Sequence, residues 1–130
     1  MRLQPVAIDQ VIDKALHLTS DDLHRRGITL TRESRGPFPP VLADPDLVTQ
    51  VIFGLLVNAA EAIEQNGKII VRTASAQSEV EVEVIDTGPG ISPADSERIF
   101  EPFFTTKPTG TGLGLPMAAG IVQRHGGTIE

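Results

Sequence analysis

The chain has 130 residues, with 11 basic against 17 acidic side chains and a formal charge of −6, which suits one domain with a single two-layer core. It contains no cysteine, which excludes a disulfide scaffold, a thiolate metal site and a cysteine nucleophile and fits the reducing cytoplasm as the expected location. The acidic balance opposes non-specific binding to nucleic acid, and neither an apolar run of membrane-span length nor a signal peptide is evident, so a soluble domain without nucleic-acid or membrane contact is expected.

Asp9 is placed to cap a helix over residues 9–26, whose Ile12, Leu16, Thr19 and Leu23 recur at helical spacing and whose end is marked by Arg25, Arg26 and Gly27. Ile28-Thr29-Leu30-Thr31 alternates like a half-buried strand, and Gly36-Pro37-Phe38-Pro39-Pro40 reads as loop. Asp44-Pro45 supplies an N-cap with proline at the first helical position, predicting a helix over 45–65 stopped by Asn66-Gly67. Residues 68–73 and 79–84 read as strands, the second alternating glutamate outward with valine inward. Ser92-Pro93-Ala94-Asp95 resembles the start of a short helix. Leu113, Met117 and Ile121 mark a last helix closed by Gly126-Gly127, and 128–130 begins another strand. Helices and strands that do not strictly alternate favour a two-layer α/β sandwich, with a mixed, mostly antiparallel sheet and helices on one face.

Four clusters carry possible chemistry. Asn58 falls near one edge of the apolar arc of the 45–65 helix, so its amide is either a satisfied border residue or an oxygen ligand for a hydrated Mg²⁺. Asp86 continues the inward phase of Val80, Val82 and Val84. A carboxylate pointing at the core must meet donors, from the protein or from a ligand amine. Thr87-Gly88-Pro89-Gly90 follows it, either as a plain strand-ending turn or as tight backbone that a flat ring can approach. Gly110-Thr111-Gly112-Leu113-Gly114 stands directly before the last helix, where free N–H groups suit phosphates. It lacks the preceding strand of a dinucleotide fold and the Gly-Lys-Ser/Thr of a P-loop. Phe100-Glu101-Pro102-Phe103-Phe104-Thr105-Thr106-Lys107 is either a small aromatic core under a loop or a lid that carries Thr105, Thr106 and Lys107 toward an anion.

In this order NAAEAI, DTGPGI, FEPFFTTK and GTGLGL resemble the N, G1, F and G2 boxes of the histidine-kinase catalytic domain, of the superfamily that also holds gyrase, the Hsp90 chaperones and MutL. The form of the F box together with GTGLGL is more similar to the nitrogen-regulation type of sensor kinase than to gyrase or Hsp90. The resemblance spans nearly the whole chain and implies the Bergerat fold, with ATP between the helical layer and a lid. It implies that Asn58 binds Mg²⁺, that Asp86 accepts from the adenine amine, and that Gly88, Gly90 and Ile91 form the adenine pocket. Lys107 would reach the phosphates, and Gly110, Gly112 and Gly114 would contact them through backbone. Ala62, Thr105, Thr106, Thr111, Leu113 and Leu115 complete the implied nucleotide contacts. Asn58 and Lys107 are the implied catalytic residues.

Departures from the family pattern also matter. Gly54 stands where relatives carry a second asparagine, Glu61 where many carry a base, and Pro116 where small residues are usual. The chain ends just after HGGTIE, where relatives continue, so a single catalytic domain over 1–130 with a truncated last strand is expected. None of His17, His24 and His125 stands in a phosphoacceptor context; all three read as surface or helix-end histidines. The reaction implied is phosphoryl transfer from MgATP to a histidine on a separate dimerisation domain, with a response regulator downstream. The competing readings are a non-catalytic ATP/ADP-sensing module and a gyrase- or MutL-like ATPase, whose hydrolytic glutamate would fall at Gly54.

Overall fold

The computed structural model describes residues 1–76, 79–87 and 114–127. Within them lie β1 (Gln4–Val6), α1 (Ile8–Arg25), β2 (Ile28–Ser34), β3 (Val41–Ala43), α2 (Pro45–Ile63), β4 (Gly67–Ala76), β5 (Glu79–Asp86) and α3 (Gly114–Arg124).

The periodicity of α1 is realised as expected: Ile12, Thr19 and Leu23 are buried, and Val11 and Ala15 join them. Its cap is not Asp9. The helix starts at buried Ile8 with Ala7 at the N-cap and no side-chain cap bond, because Arg32 of β2 takes the Asp9 carboxylate at 2.8 Å and also binds Asp13. Gly27 ends α1 with φ +68°, where a Cβ would fall 2.6 Å from the Asn66 side-chain oxygen. Arg26 leans on Asp22 at 3.1 Å and points its guanidinium at the Ala60 and Glu64 carbonyls, 3.5 and 3.4 Å away. A cation thus meets orphan carbonyls at the end of α2, as the helix dipole favours. Glu64 (φ 70°) and Asn66 (φ 55°) leave helical geometry, so α2 stops at Ile63, two residues earlier than expected.

At its other end α2 is capped by Asp44, whose carboxylate accepts from the N–H groups of Asp46 and Leu47 at 3.1 and 3.3 Å and from that of Arg2 at 2.9 Å. The Arg2 N–H is the largest cause holding the Asp44 carboxyl below its ordinary value of 3.8; partial desolvation opposes it, and the two helical N–H groups add to the lowering. A folded-state pKa below the unfolded one stabilises the fold above the ordinary aspartate range, and that contribution is lost as pH falls through the folded value. Urea midpoints of the wild type should therefore drop through this acid window. Asp44→Asn, which keeps a capping oxygen without the charge, should drop less; identical profiles would refute the assignment.

By length and composition α2 could cross a membrane, with a mean hydropathy of 1.5. In the fold it is the central helix, packed against α1, α3 and the strands β4 and β5.

The sheet runs β2-β4-β5, with β2 parallel and β4 antiparallel to its later neighbour β5. Ile69, Val71 and Thr73 of β4 are fully buried on its helix-facing side. They stand opposite Asp86, Val84 and Val82 in register. The glutamates Glu79, Glu81 and Glu83 are exposed on the other face, where Arg72 binds Glu33 at 2.7 Å. β1 and β3, which sequence periodicity does not reveal, pair antiparallel as a separate two-stranded ribbon. The result is the expected α/β sandwich with a mixed sheet. The expected helix start at Ser92 and the strand over 128–130 lie outside the described residues.

Candidate nucleotide site

Asp86 is the last residue of β5, half-buried, and directly opposite fully buried Ile69. Because side chains alternate along a strand, this register places Asp86 on the helix-facing side, as its phase in the sequence predicts. The next residue is held by the start of β4. The Lys68 N–H donates to Thr87 Oγ1 at 3.1 Å, and the Thr87 N–H donates to the Lys68 carbonyl at 3.2 Å. Gly67 makes this junction possible, since a Cβ there would lie 2.6 Å from Ile63 Cγ2 and 2.7 Å from Thr87 Oγ1. The end of α2, the head of β4 and the end of β5 thus meet at a single glycine. Sequence reading placed Gly67 only as a helix stop and did not find Thr87 as a brace for Asp86; the N-G pair was the one available signal.

Asn58 is half-buried on α2, one turn after Gly54 and one turn before Ala62, on the stretch of helix that leads to this junction. Asn58, Glu61 and Asp86 each have an interaction partner within the fold. Among the described residues a Cβ on Gly54, which shares a helix face with Asn58 and Glu61, would meet nothing within 4 Å, so their packing does not demand glycine there.

Gly114, the last glycine of the cluster, is the first residue of α3, so the cluster leads into a helix N-terminus as expected; Leu115 follows it in the helix. Buried Ala118 and Ile121 of α3 pack on Val51 of α2, flanked by Leu47 and Leu55. α2, which carries Asn58 and Ala62, thus packs against both β5, which ends at Asp86, and α3, which begins at Gly114. Gly88, Gly90, Ile91, Thr105, Thr106, Lys107, Gly110, Thr111, Gly112 and Leu113 lie outside the described residues. A cleft of 960 Å³ opens instead along the inner valines of β5, between β3 and the end of α3, and neither Asn58 nor Asp86 lines it. Its lining mixes aliphatic side chains with Glu79, Glu81, Glu83 and His125 and, among the described residues, includes none of those predicted to hold a nucleotide; three carboxylates there oppose a polyphosphate.

Residues 43–130 match the histidine kinase-, DNA gyrase B- and HSP90-like ATPase family. The sensor histidine kinase ZraS of Escherichia coli (strain K12) is 42% identical over the whole chain, which spans 28% of that protein's length. The catalytic domain of histidine kinase ThkA, solved free of nucleotide, superposes with a TM-score of 0.89 at 33% identity, over 96% of this chain and 82% of that one. ThkA has also been solved in complex with the response regulator TrrA, with a TM-score of 0.83 at 30% identity over 96% of this chain and 36% of that one. Full-length ShkA, solved in complex with AMPPNP, has a TM-score of 0.83 at 30% identity, over 95% of this chain and 27% of that one. With the family matched over more than half of the sequence and a catalytic domain matched over most of its length, the chain belongs to the histidine kinase-, DNA gyrase B- and HSP90-like ATPase family, in its histidine-kinase branch.

Proposed function

We propose that this domain binds MgATP at the meeting of α2, the end of β5 and the head of α3, and transfers the γ-phosphoryl group to a histidine on a separate dimerisation domain, from which it passes to a response regulator in the cytoplasm. The observation that carries the reading is the half-buried carboxylate of Asp86 on the helix-facing side of the sheet, beside the helix that bears Asn58. Solved relatives with AMPPNP and with a response regulator support the two halves of the proposal.

In this reading Asp86 accepts from the exocyclic amine of adenine, with Gly88, Gly90 and Ile91 completing the base pocket beside Ala62. Asn58 offers an amide oxygen, the donor type Mg²⁺ takes, with water supplying further ligands as that ion usually requires. Bound Mg²⁺ would neutralise phosphate charge during transfer. Lys107, Thr105 and Thr106 are assigned to the terminal phosphate, and Gly110, Thr111, Gly112, Leu113, Gly114 and Leu115 to the chain of phosphates, through backbone. The accepting imidazole is itself the nucleophile, so the domain has only to position and neutralise.

Calorimetry tests the assignment of Asn58 and Lys107. Asn58→Ala should remove most of the Mg²⁺ dependence of ATP binding. Lys107→Ala should weaken ATP about tenfold more than ADP, the size of one charge-assisted contact to the terminal phosphate. EDTA acting equally on wild type and Asn58→Ala would dismiss the metal role. A nucleotide-sensing module is the second reading, favoured by the replacement of the family's second asparagine with Gly54.

A further inference from the structure

His125 follows the last residue of α3, and both of its ring nitrogens are engaged. The backbone N–H of Asp44 donates to Nε2 at 3.0 Å, across 81 residues of sequence, and Nδ1 lies 2.8 Å from the Ile121 carbonyl. The donor inventory settles the tautomer. A backbone N–H can only donate, so Nε2 must hold the lone pair; a carbonyl can only accept, so Nδ1 must carry the hydrogen.

Neither partner is incidental. Asp44 lies between the end of β3 and the first turn of α2, so its N–H belongs to neither ladder and needs an acceptor from elsewhere. The backbone that carries the ring is also fixed. Gly126 at φ +76° lets its N–H donate to the Gln123 carbonyl and the Gly127 N–H donate to that of Val122, the paired bonds of a Schellman turn. The ring therefore leaves α3 in one direction, toward the N-cap of α2.

α3 needs such a tie. Among the described residues it packs on α2 through a cluster with three buried members, Val51, Ala118 and Ile121, separate from the main core. A helix of 11 residues is about 16 Å long, so a shift at His125 is carried along a rigid rod to Gly114 at its head.

We propose that His125, as the neutral Nδ1–H tautomer, is a positioning residue of the nucleotide site: it bolts the end of α3 to the N-cap of α2 and so sets where Gly114, at the head of α3, stands relative to Asn58. The inference rests on the MgATP reading above, and predicts that phosphate affinity and base affinity separate. His125→Ala should weaken ATP about tenfold while adenosine, held at Asp86, binds as in the wild type. His125→Gln, whose side-chain oxygen reaches to about where Nε2 lies, should restore ATP affinity to within about twofold. His125→Asn, too short to reach Asp44, should not. Nitrogen NMR of the wild type should show a protonated Nδ1 and a bare Nε2. Equal losses for ATP and adenosine, no loss in His125→Ala, no rescue by Gln, or an Nε2–H tautomer would each overturn the proposal. Failure of the wild type to bind ATP at all would instead overturn the MgATP reading, and with it the positioning role, while the NMR signature would still report the joint itself.

Discussion

Asp86→Asn should lower ATP affinity about a hundredfold, the cost of roughly 2–3 kcal/mol expected when a half-buried carboxylate acceptor is exchanged for a neutral group. The residue ends β5 on the helix-facing side, opposite fully buried Ile69, with Thr87 pinned to Lys68 behind it. A carboxylate there presents only acceptors, which suits the amine of adenine. An amide presents two donors and one acceptor, and wherever its NH₂ faces the base two donors meet. Guanine separates loss of a contact from damage to the fold, because it carries a carbonyl where adenine carries the amine. Wild type should discriminate strongly against GTP, and Asp86→Asn should narrow that discrimination while leaving far-UV circular dichroism unchanged. ATP affinity within about twofold of wild type, a difference of roughly 0.4 kcal/mol, would end the adenine assignment.

What the sequence revealed follows from which interactions are periodic. The inward phase of Asp86 was legible because β5 alternates strictly, and the buried stripe of α1 because Ile12, Thr19 and Leu23 recur at helical spacing. The cap of α1 was misread because the fate of Asp9 is decided by Arg32, a residue 23 positions on. β1 and β3 are three residues each and pair across more than thirty others, so neither carries a pattern of its own. The joints around the site were hidden for the same reason. Thr87 meets Lys68 only through the register of a hairpin, and His125, read as a surface or helix-end histidine, meets Asp44 only once α3 lies on α2. Periodicity reports the face a side chain occupies; it does not report which distant backbone group that side chain will find there.

The histidines also decide where label from γ-labelled ATP can go. His17 and His24 are exposed on α1 and stand in no phosphoacceptor context, and His125 has its Nε2 lone pair committed to the Asp44 N–H. A nucleophilic imidazole needs a free lone pair in line with the γ-phosphorus. The 130-residue domain incubated alone should therefore bind nucleotide, hydrolyse it slowly at most, and stay unlabelled. The position one turn before Asn58 is Gly54, which offers no carboxylate to activate water, and this argues against rapid turnover of the gyrase or MutL kind. Mixed with the isolated dimerisation hairpin of a cognate sensor kinase, the domain should place label on one histidine of the hairpin. The product should be labile to acid and stable to base, as a phosphoramidate is and a phosphoserine is not. Label on His17, His24 or His125 would contradict transfer to a separate domain. ATP binding with no label on the hairpin would transfer the assignment to the nucleotide-sensing module, with Gly54 as the lesion that separates binding from chemistry. Gly54→Asn then becomes the deciding variant: a Cβ at Gly54 meets none of the described residues within 4 Å, and the added amide should raise transfer to the hairpin if metal ligation is what the glycine removed.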